Sequence, residues 1–235
     1  MSHTHRKRVN VPSIHLNVEP LSHKDIVEAA KKRVSIVNKE LIEGMEFIGS
    51  YPKSVTFFGS ARFNEHNPCY EKAQRIASIL ARKGYAIVTG GGPGIMEAAN
   101  RGSSDVGGSS IGFNIVLPKE QVMNPYVQDH IDFEYFFTRK VCLTFSAEAY
   151  LYFPGGFGTL DEFFEILTLV QTRKIPRVPM ILVGVDFWLP LKHFVENLLL
   201  NTYNTISKEE LDFFVITDDE DEIVRLVTQA PMRKE

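Results

Sequence analysis

The residues able to do chemistry in this chain sit beside glycine-rich loops. The stretch Pro154-Gly155-Gly156-Phe157-Gly158-Thr159-Leu160-Asp161-Glu162 places three glycines within four positions and ends on a carboxylate. Glycines there leave backbone N–H groups uncovered, and a helix starting at that point adds about half a positive charge. Gly155, Gly156, Gly158 and Thr159 are therefore candidates to hold an anion, most simply a phosphate. A carboxylate on the same first turn competes for that positive end, so Glu162 must attend another part of the ligand. Beside a ribose, it can hold hydroxyls and stabilise an oxocarbenium-like transition state as a glycosidic bond breaks. A purely structural reading stands next to this one, because Thr159-x-x-Glu162 is also the spacing of a capping box.

Arg139 and Lys140 follow Thr138 at the start of a short helical pattern. Positive side chains there oppose the helix dipole by up to about 1 kcal/mol each, which suggests that a ligand needs them. Arg139 suits a carboxylate, a phosphate or a developing negative charge, and is a poor proton donor. Lys140 is a candidate binding residue with nothing around it to identify a Schiff-base lysine. A solvated surface pair is the plain alternative. Glu165 shares a helix face with Glu162, and Glu97 lies on the first turn after a second glycine loop. Each is as well explained by a helix face as by a site.

The elements that position these groups alternate. Buried strands are expected at Ser54–Gly59, Tyr85–Thr89, Ser110–Val116, Ile131–Phe137, Ala149–Phe153, Val178–Val183 and Phe213–Ile216. Helical periodicity falls between them: Pro68–Lys83 with Ala73, Ile76, Ala77 and Leu80 inward, Ile95–Asp105, Thr138–Ser146, Leu160–Gln171, Phe187–Leu200, and a closing helix after the acidic cap at Asp218–Glu222. That order means an α/β fold with a mostly parallel sheet covered on both faces. Ligands of such folds sit beyond the carboxyl ends of the strands. Three glycine-bearing loops fall there, at Gly59-Ser60, at Gly90 to Gly94 and at Gly155 to Gly158, which adds Gly59, Ser60, Gly91, Gly92, Gly94 and Glu97 to the substrate-binding candidates. The long polar segment from Leu117 to Tyr126 is expected to be functional.

Upstream of this domain, which is taken to span 51–235, residues 1–20 are expected to form a mobile tail. Residues 21–50 are expected to form a helix with Ser22 as a cap. A metal site among His3, His5 and His15 lacks fixed spacing, and no metal is expected.

Composition excludes several classes. The 235 residues carry a net charge of −3 with no basic run longer than three residues, Arg6-Lys7-Arg8 among them, so nucleic acid is not expected as a partner. No apolar run approaches the ~20 residues of a membrane span, and no signal peptide is expected in the polar, basic first residues. Two cysteines without metal spacing, Cys69 and Cys142, suggest a reducing compartment, and a cytoplasmic protein is expected. No Gly-x-Gly-x-x-Gly dinucleotide fingerprint and no Gly-Lys-Ser/Thr loop is present, so the glycines suit one phosphate better than a pyrophosphate with magnesium.

The nine residues from Pro154 to Glu162 resemble the PGGxGTxxE signature of the Lonely Guy family, cytokinin riboside 5′-monophosphate phosphoribohydrolases often mislabelled lysine decarboxylases. Gly90 to Asn100, Phe136 to Lys140, and Leu117 to Tyr126 are similar to further segments of its longer bacterial members, so the likeness runs from about residue 54 to 185. The resemblance implies a Rossmann-like homodimer, or an assembly of dimers, that needs no cofactor. It would hydrolyse the N-glycosidic bond of a nucleoside 5′-monophosphate to free base and ribose 5-phosphate. It also implies Arg139 and Glu162 as the pair needed for activity, and Gly155 to Thr159 as the phosphate loop. The alternative is a non-catalytic carrier of a nucleotide or phosphorylated cofactor, resembling molybdenum-cofactor carriers.

Overall fold

A computed structural model describes residues 22–116 and 123–231. The N-terminal tail and most of the polar Leu117–Tyr126 segment lie outside them. The chain divides into two compact units, 1–36 and 37–235. The described part of the first is the opening of helix α1 (His23–Gly49), where Ser22 and Asp25 cap each other reciprocally.

Among its described residues the second unit holds seven strands: β1 (Ser54–Phe58), β2 (Ala86–Thr89), β3 (Ser110–Ile115), β4 (Asp129–Phe133), β5 (Ala149–Tyr152), β6 (Met180–Leu182) and β7 (Val215–Ile216). Between them run α2 (Pro68–Arg82), α3 (Ile95–Ser104), α4 (Phe136–Thr144), α5 (Phe157–Gln171), α6 (Val185–Phe194) and, last, α7 (Glu220–Thr228). The sheet order is β4-β3-β2-β1-β5-β6-β7, and every pairing is parallel. Strand order reverses between β1 and β5, which is where a doubly wound sheet opens a crevice.

Alternation along the strands builds a core on each face. On β1 and β5 and just after β5, Val55, Phe57, Leu151 and Phe153 join one apolar cluster with α2, α3 and α7, while Phe58, Tyr150 and Tyr152 join another with α4, α5 and α6. The inward stripe expected of α2 is fully buried, Asn67 caps its start, and Asp219 caps α7 through the N–H groups of Asp221 and Glu222.

Several boundaries differ from those expected. β4 ends at Phe133 and α4 begins at Phe136, because Phe136 and Phe137 stand exposed and do not continue a buried strand. α6 starts at Val185, after Gly184 in a left-handed conformation, and passes into a π-helical segment, Val195–Thr202. Phe213 ends a 3₁₀ turn opened by a capping box at Ser207, which leaves β7 only two residues.

A buried network ties the loop after β2 to α3, to β3 and to the turn that precedes β4. The Thr89 hydroxyl donates to Asn100 Oδ1 (2.6 Å), Asn100 Nδ2 donates to the Ser110 hydroxyl (2.9 Å), and Asn124 Nδ2 donates to Asn100 Oδ1 and to the carbonyls of Gly91 and Gly92. Replacing Asn100 with Ala strands three buried polar partners, so unfolding in urea should lose about 2–4 kcal/mol. A loss below about 1 kcal/mol would show the network to be dispensable.

Candidate active site

The three glycine loops are knitted together at the carboxyl edge of the sheet. The Ser60 N–H donates to the Pro154 carbonyl and the Ser60 carbonyl accepts from the Ile95 N–H, both at 3.0 Å. Gly94 makes this approach feasible: its φ is +72°, and a β-carbon there would lie 2.2 Å from the Ser60 carbonyl oxygen. Gly156 and Gly158 differ. Neither adopts a left-handed backbone, and a β-carbon on either would meet no atom of the described residues within 4 Å. Packing does not demand glycine at these two positions. Their effect is to leave the first N–H groups of α5 open.

Helix α5 begins at Phe157 with Gly156 as its N-cap, and among the described residues no side chain caps it. Thr159 is thus already the third helical residue, which removes the capping-box reading of Glu162. The buried stripe of α5 runs Thr159, Glu162, Phe163, Ile166, Val170, so Glu162 faces inward with its apolar neighbours.

A cavity of about 820 Å³ lies at the β1/β5 reversal. Gly59 and Ser60 line it from the first loop, Arg139 from α4, and Gly155, Gly156, Gly158, Thr159 and Glu162 from the start of α5. The remaining candidates do not line it. Gly91 and Gly92 give their carbonyls to Asn124, Gly94 packs on Ser60, and Glu97 accepts from the Tyr70 hydroxyl at 3.1 Å. Lys140 lies 2.7 Å from Asp161 and 2.8 Å from Glu165. Burial pulls its ammonium down, and the bonds to these two acids outweigh that and leave it above its ordinary value.

Within the cavity the electrostatics are unusual. Glu162 is 9% exposed and its Oε2 has no hydrogen-bond partner among the described residues. Burial pushes its carboxyl up to about 7, against the opposing pull of Arg139 and Lys140. Burial pulls the Arg139 guanidinium below its ordinary value while Glu162 raises it, and its Nε is also buried without a partner among the described residues. A β-carbon on Gly90 would sit 2.4 Å from Arg139 Nη2, so the glycine loop after β2 serves as a seat for the guanidinium. One buried acid, one buried guanidinium and an uncapped helix N-terminus thus share a single space.

Sequence reasoning did not assign Arg62, Gly90, Met96, Phe136, Phe157 or Phe187, all of which line the same cavity. Arg62 lies two residues after Ser60 on a loop already singled out, so adjacency alone could have suggested it. The aromatics carry a weaker signal, although Phe157 between glycines is 93% exposed.

The family model described as "Possible lysine decarboxylase" matches residues 96–227, more than half of the chain. The chain belongs to that family. It is 27% identical over 160 residues to a cytokinin riboside 5′-monophosphate phosphoribohydrolase of Rhodococcoides fascians, covering 66% of this chain and 79% of the relative. It is 27% identical over 204 residues to the pyrimidine/purine nucleotide 5′-monophosphate nucleosidase of Escherichia coli K12, covering 80% of this chain but only 43% of that longer protein. Among solved structures, the molybdenum cofactor binding protein of Rippkaea orientalis superposes with a TM-score of 0.54 at 20% identity, over 75% of this chain and 96% of that one. That likeness concerns the fold. The family's decarboxylase label finds no support in the site: among the described residues no lysine lines the cavity, and Lys140 is held charged between two acids, whereas a Schiff-base lysine needs a free amine.

The Glu162 environment makes a sign-definite prediction. Its folded value near 7 exceeds an unfolded value near 4.5, so the native state binds the extra proton between those limits and loses stability as pH rises through them. Glu162→Gln should leave stability unchanged below pH ~4.5 and raise it by about 3 kcal/mol above pH ~7. Denaturation at pH 4.5 and pH 8 reads this directly. A variant destabilised at both would instead return Glu162 to a structural role.

Proposed function

We propose that this chain hydrolyses the N-glycosidic bond of a nucleoside 5′-monophosphate, releasing the base and ribose 5-phosphate. The observation that carries the reading is the placement of Glu162 and Arg139 in one cavity with the uncapped start of α5. The phosphate binds the open N–H groups of Gly156 to Thr159, favoured by the helix dipole. A nucleotide held there extends its sugar toward Glu162, one helical turn further on. The Glu162 carboxylate takes the ribose hydroxyls and stabilises the positive charge that develops at the anomeric carbon, and Arg139 supports negative charge on the departing side. Water then adds through its oxygen to the anomeric carbon as the C–N bond breaks, and the proton it gives up ends on the departing base. Gly59 and Ser60 form the floor, Gly94 lets Ser60 approach, and Lys140 ties α4 to α5 through Asp161 and Glu165, while Gly91, Gly92 and Glu97 bond elsewhere.

Support comes from the phosphoribohydrolase and nucleosidase names carried by the relatives. We take the active form to be a homodimer in the cytoplasm. Aromatic side chains at the cavity rim are exposed in the single chain, with Phe136 57% accessible. Cys69 and Cys142 are free thiols, as a reducing compartment allows. A carrier of a phosphorylated cofactor is the second reading, favoured by the fold shared with molybdenum cofactor carriers.

Incubation with AMP and with isopentenyladenosine monophosphate, then chromatography of free base, separates the two. A hydrolase releases base and a carrier returns the ligand intact. The rate should rise with pH through a single ionisation near 7, as Glu162 becomes the carboxylate, and Glu162→Gln should lose 10²-fold or more, roughly the scale of removing a transition-state electrostatic partner. A flat profile with full activity in that variant would end the assignment. The riboside lacking its phosphate should be far slower than the monophosphate, and equal rates would remove the phosphate role of the Gly155–Thr159 loop.

A further inference from the structure

Helix α4 presents a physical problem. Its first turns carry Arg139 and Lys140, its N-cap Tyr135 supplies no side-chain cap, and no acid lies in its first turn. Cations there oppose the helix dipole. The compensating charge comes from outside the segment that the family model matches. Glu40 on α1 is 6% exposed, accepts from the Glu134 N–H at 2.6 Å, and also accepts from the Thr138 hydroxyl. Its carboxylate grips α4 on both sides of the helix start and sets a negative charge at the positive end.

A second observation shows how closely the two helices meet. Gly44 lies in the interior of α1, where glycine costs about 1 kcal/mol relative to alanine. It is buried, and a β-carbon on it would lie 2.4 Å from Cys142 Sγ of α4 and 3.3 Å from the Phe133 ring. The glycine permits α1 to lie directly on α4. Beyond it, Phe47 packs edge-on against Phe113, and the Tyr51 hydroxyl donates to Asp129 at 2.5 Å, which fixes the same stretch of chain to β3 and β4.

We propose that residues 37–51 form a strut for the active site, with Glu40 the positioning residue that holds α4, and thereby Arg139, against the cavity. The proposal rests on the hydrolase reading for its kinetic consequence only. The phosphate loop of α5 is tied through Pro154 to Ser60, which in turn accepts from Ile95, and among the described residues the hydrogen bonds of Glu40 go to Glu134 and Thr138, so the strut governs charge stabilisation and not phosphate recognition.

Three variants test this in the full-length protein: Glu40→Gln, Gly44→Ala, and Glu148→Gln as a control. Glu148 is a comparably buried carboxylate accepting from the Ser54 N–H at 2.6 Å, at the opposite end of the sheet. Glu40→Gln and Gly44→Ala should each lower kcat on AMP by about 10-fold or more, the scale of a small displacement of a catalytic group. KM and the preference for monophosphate over riboside should stay within two-fold or so of the parent. Amide hydrogen exchange across residues 136–140 should speed up in both strut variants and not in the control. A kcat loss in Glu148→Gln equal to that in Glu40→Gln at matched melting temperature would overturn the proposal, as would unchanged exchange in α4. Were the parent protein to release no base at all, the hydrolase reading would fall, and the exchange measurement would still decide the part played by Glu40.

Discussion

A carboxyl group held out of water beside one guanidinium constrains everything around the cavity. Charged groups lose hydration when buried, and Arg139 repays only part of that loss to Glu162, which is why the acid sits near neutrality and not in the usual carboxylate range. Such a pair persists only where surrounding structure fixes it. Here the two members come from helices on one face of the sheet, α4 and α5, while the loops in front of them are fixed by the Ser60 peptide, bonded on one side to Pro154 and on the other to Ile95. If those loops relaxed, water would enter and the acid would behave like any surface glutamate.

The sheet supplies the stiffness for this arrangement. Its central strands β1, β2 and β5 are buried along their whole length and lean on apolar clusters on both faces. The stacked rings of Phe58 and Tyr152 and the edge contact of Tyr152 with Phe163 bring that packing directly beneath Glu162. The groups that oppose folding are thus concentrated at one edge, beyond the strand ends, where chain direction leaves room for a ligand.

Much of this was legible in the sequence, and the reasons are local. A strand running straight into glycines and a helical stripe announces a βα turn at Pro154–Glu162, and repetition of that grammar gives a parallel sheet. Arg139 stood out because its charge contradicts the dipole of its own helix. What stayed hidden depends on partners distant in sequence. That Gly91 and Gly92 serve Asn124 and not the cavity, or that Glu97 answers Tyr70, depends on contacts that no spacing encodes. The helix start at Phe157 was obscured because Thr159 and Glu162 match a capping box, and propensity cannot tell an N-cap from a third helical residue. Glu40 was invisible for the same reason as its importance: it acts on a helix nearly a hundred residues away.

The fold alone does not separate a hydrolase from a carrier, since molybdenum cofactor carrier proteins share it. The acid does bear on the choice. A carrier needs donors for a phosphate and a surface for the rest of its cargo, and the open start of α5 with its aromatic surroundings would suffice. A buried glutamate on the following turn weakens binding of an anion and lowers stability whenever it ionises. Placing a guanidinium opposite it, on a helix that must itself be held against its dipole, adds a second energetic penalty. Two such penalties in one cavity make physical sense where opposite charges develop on the two sides of a breaking bond, because each group then interacts more strongly with the transition state than with the bound ligand.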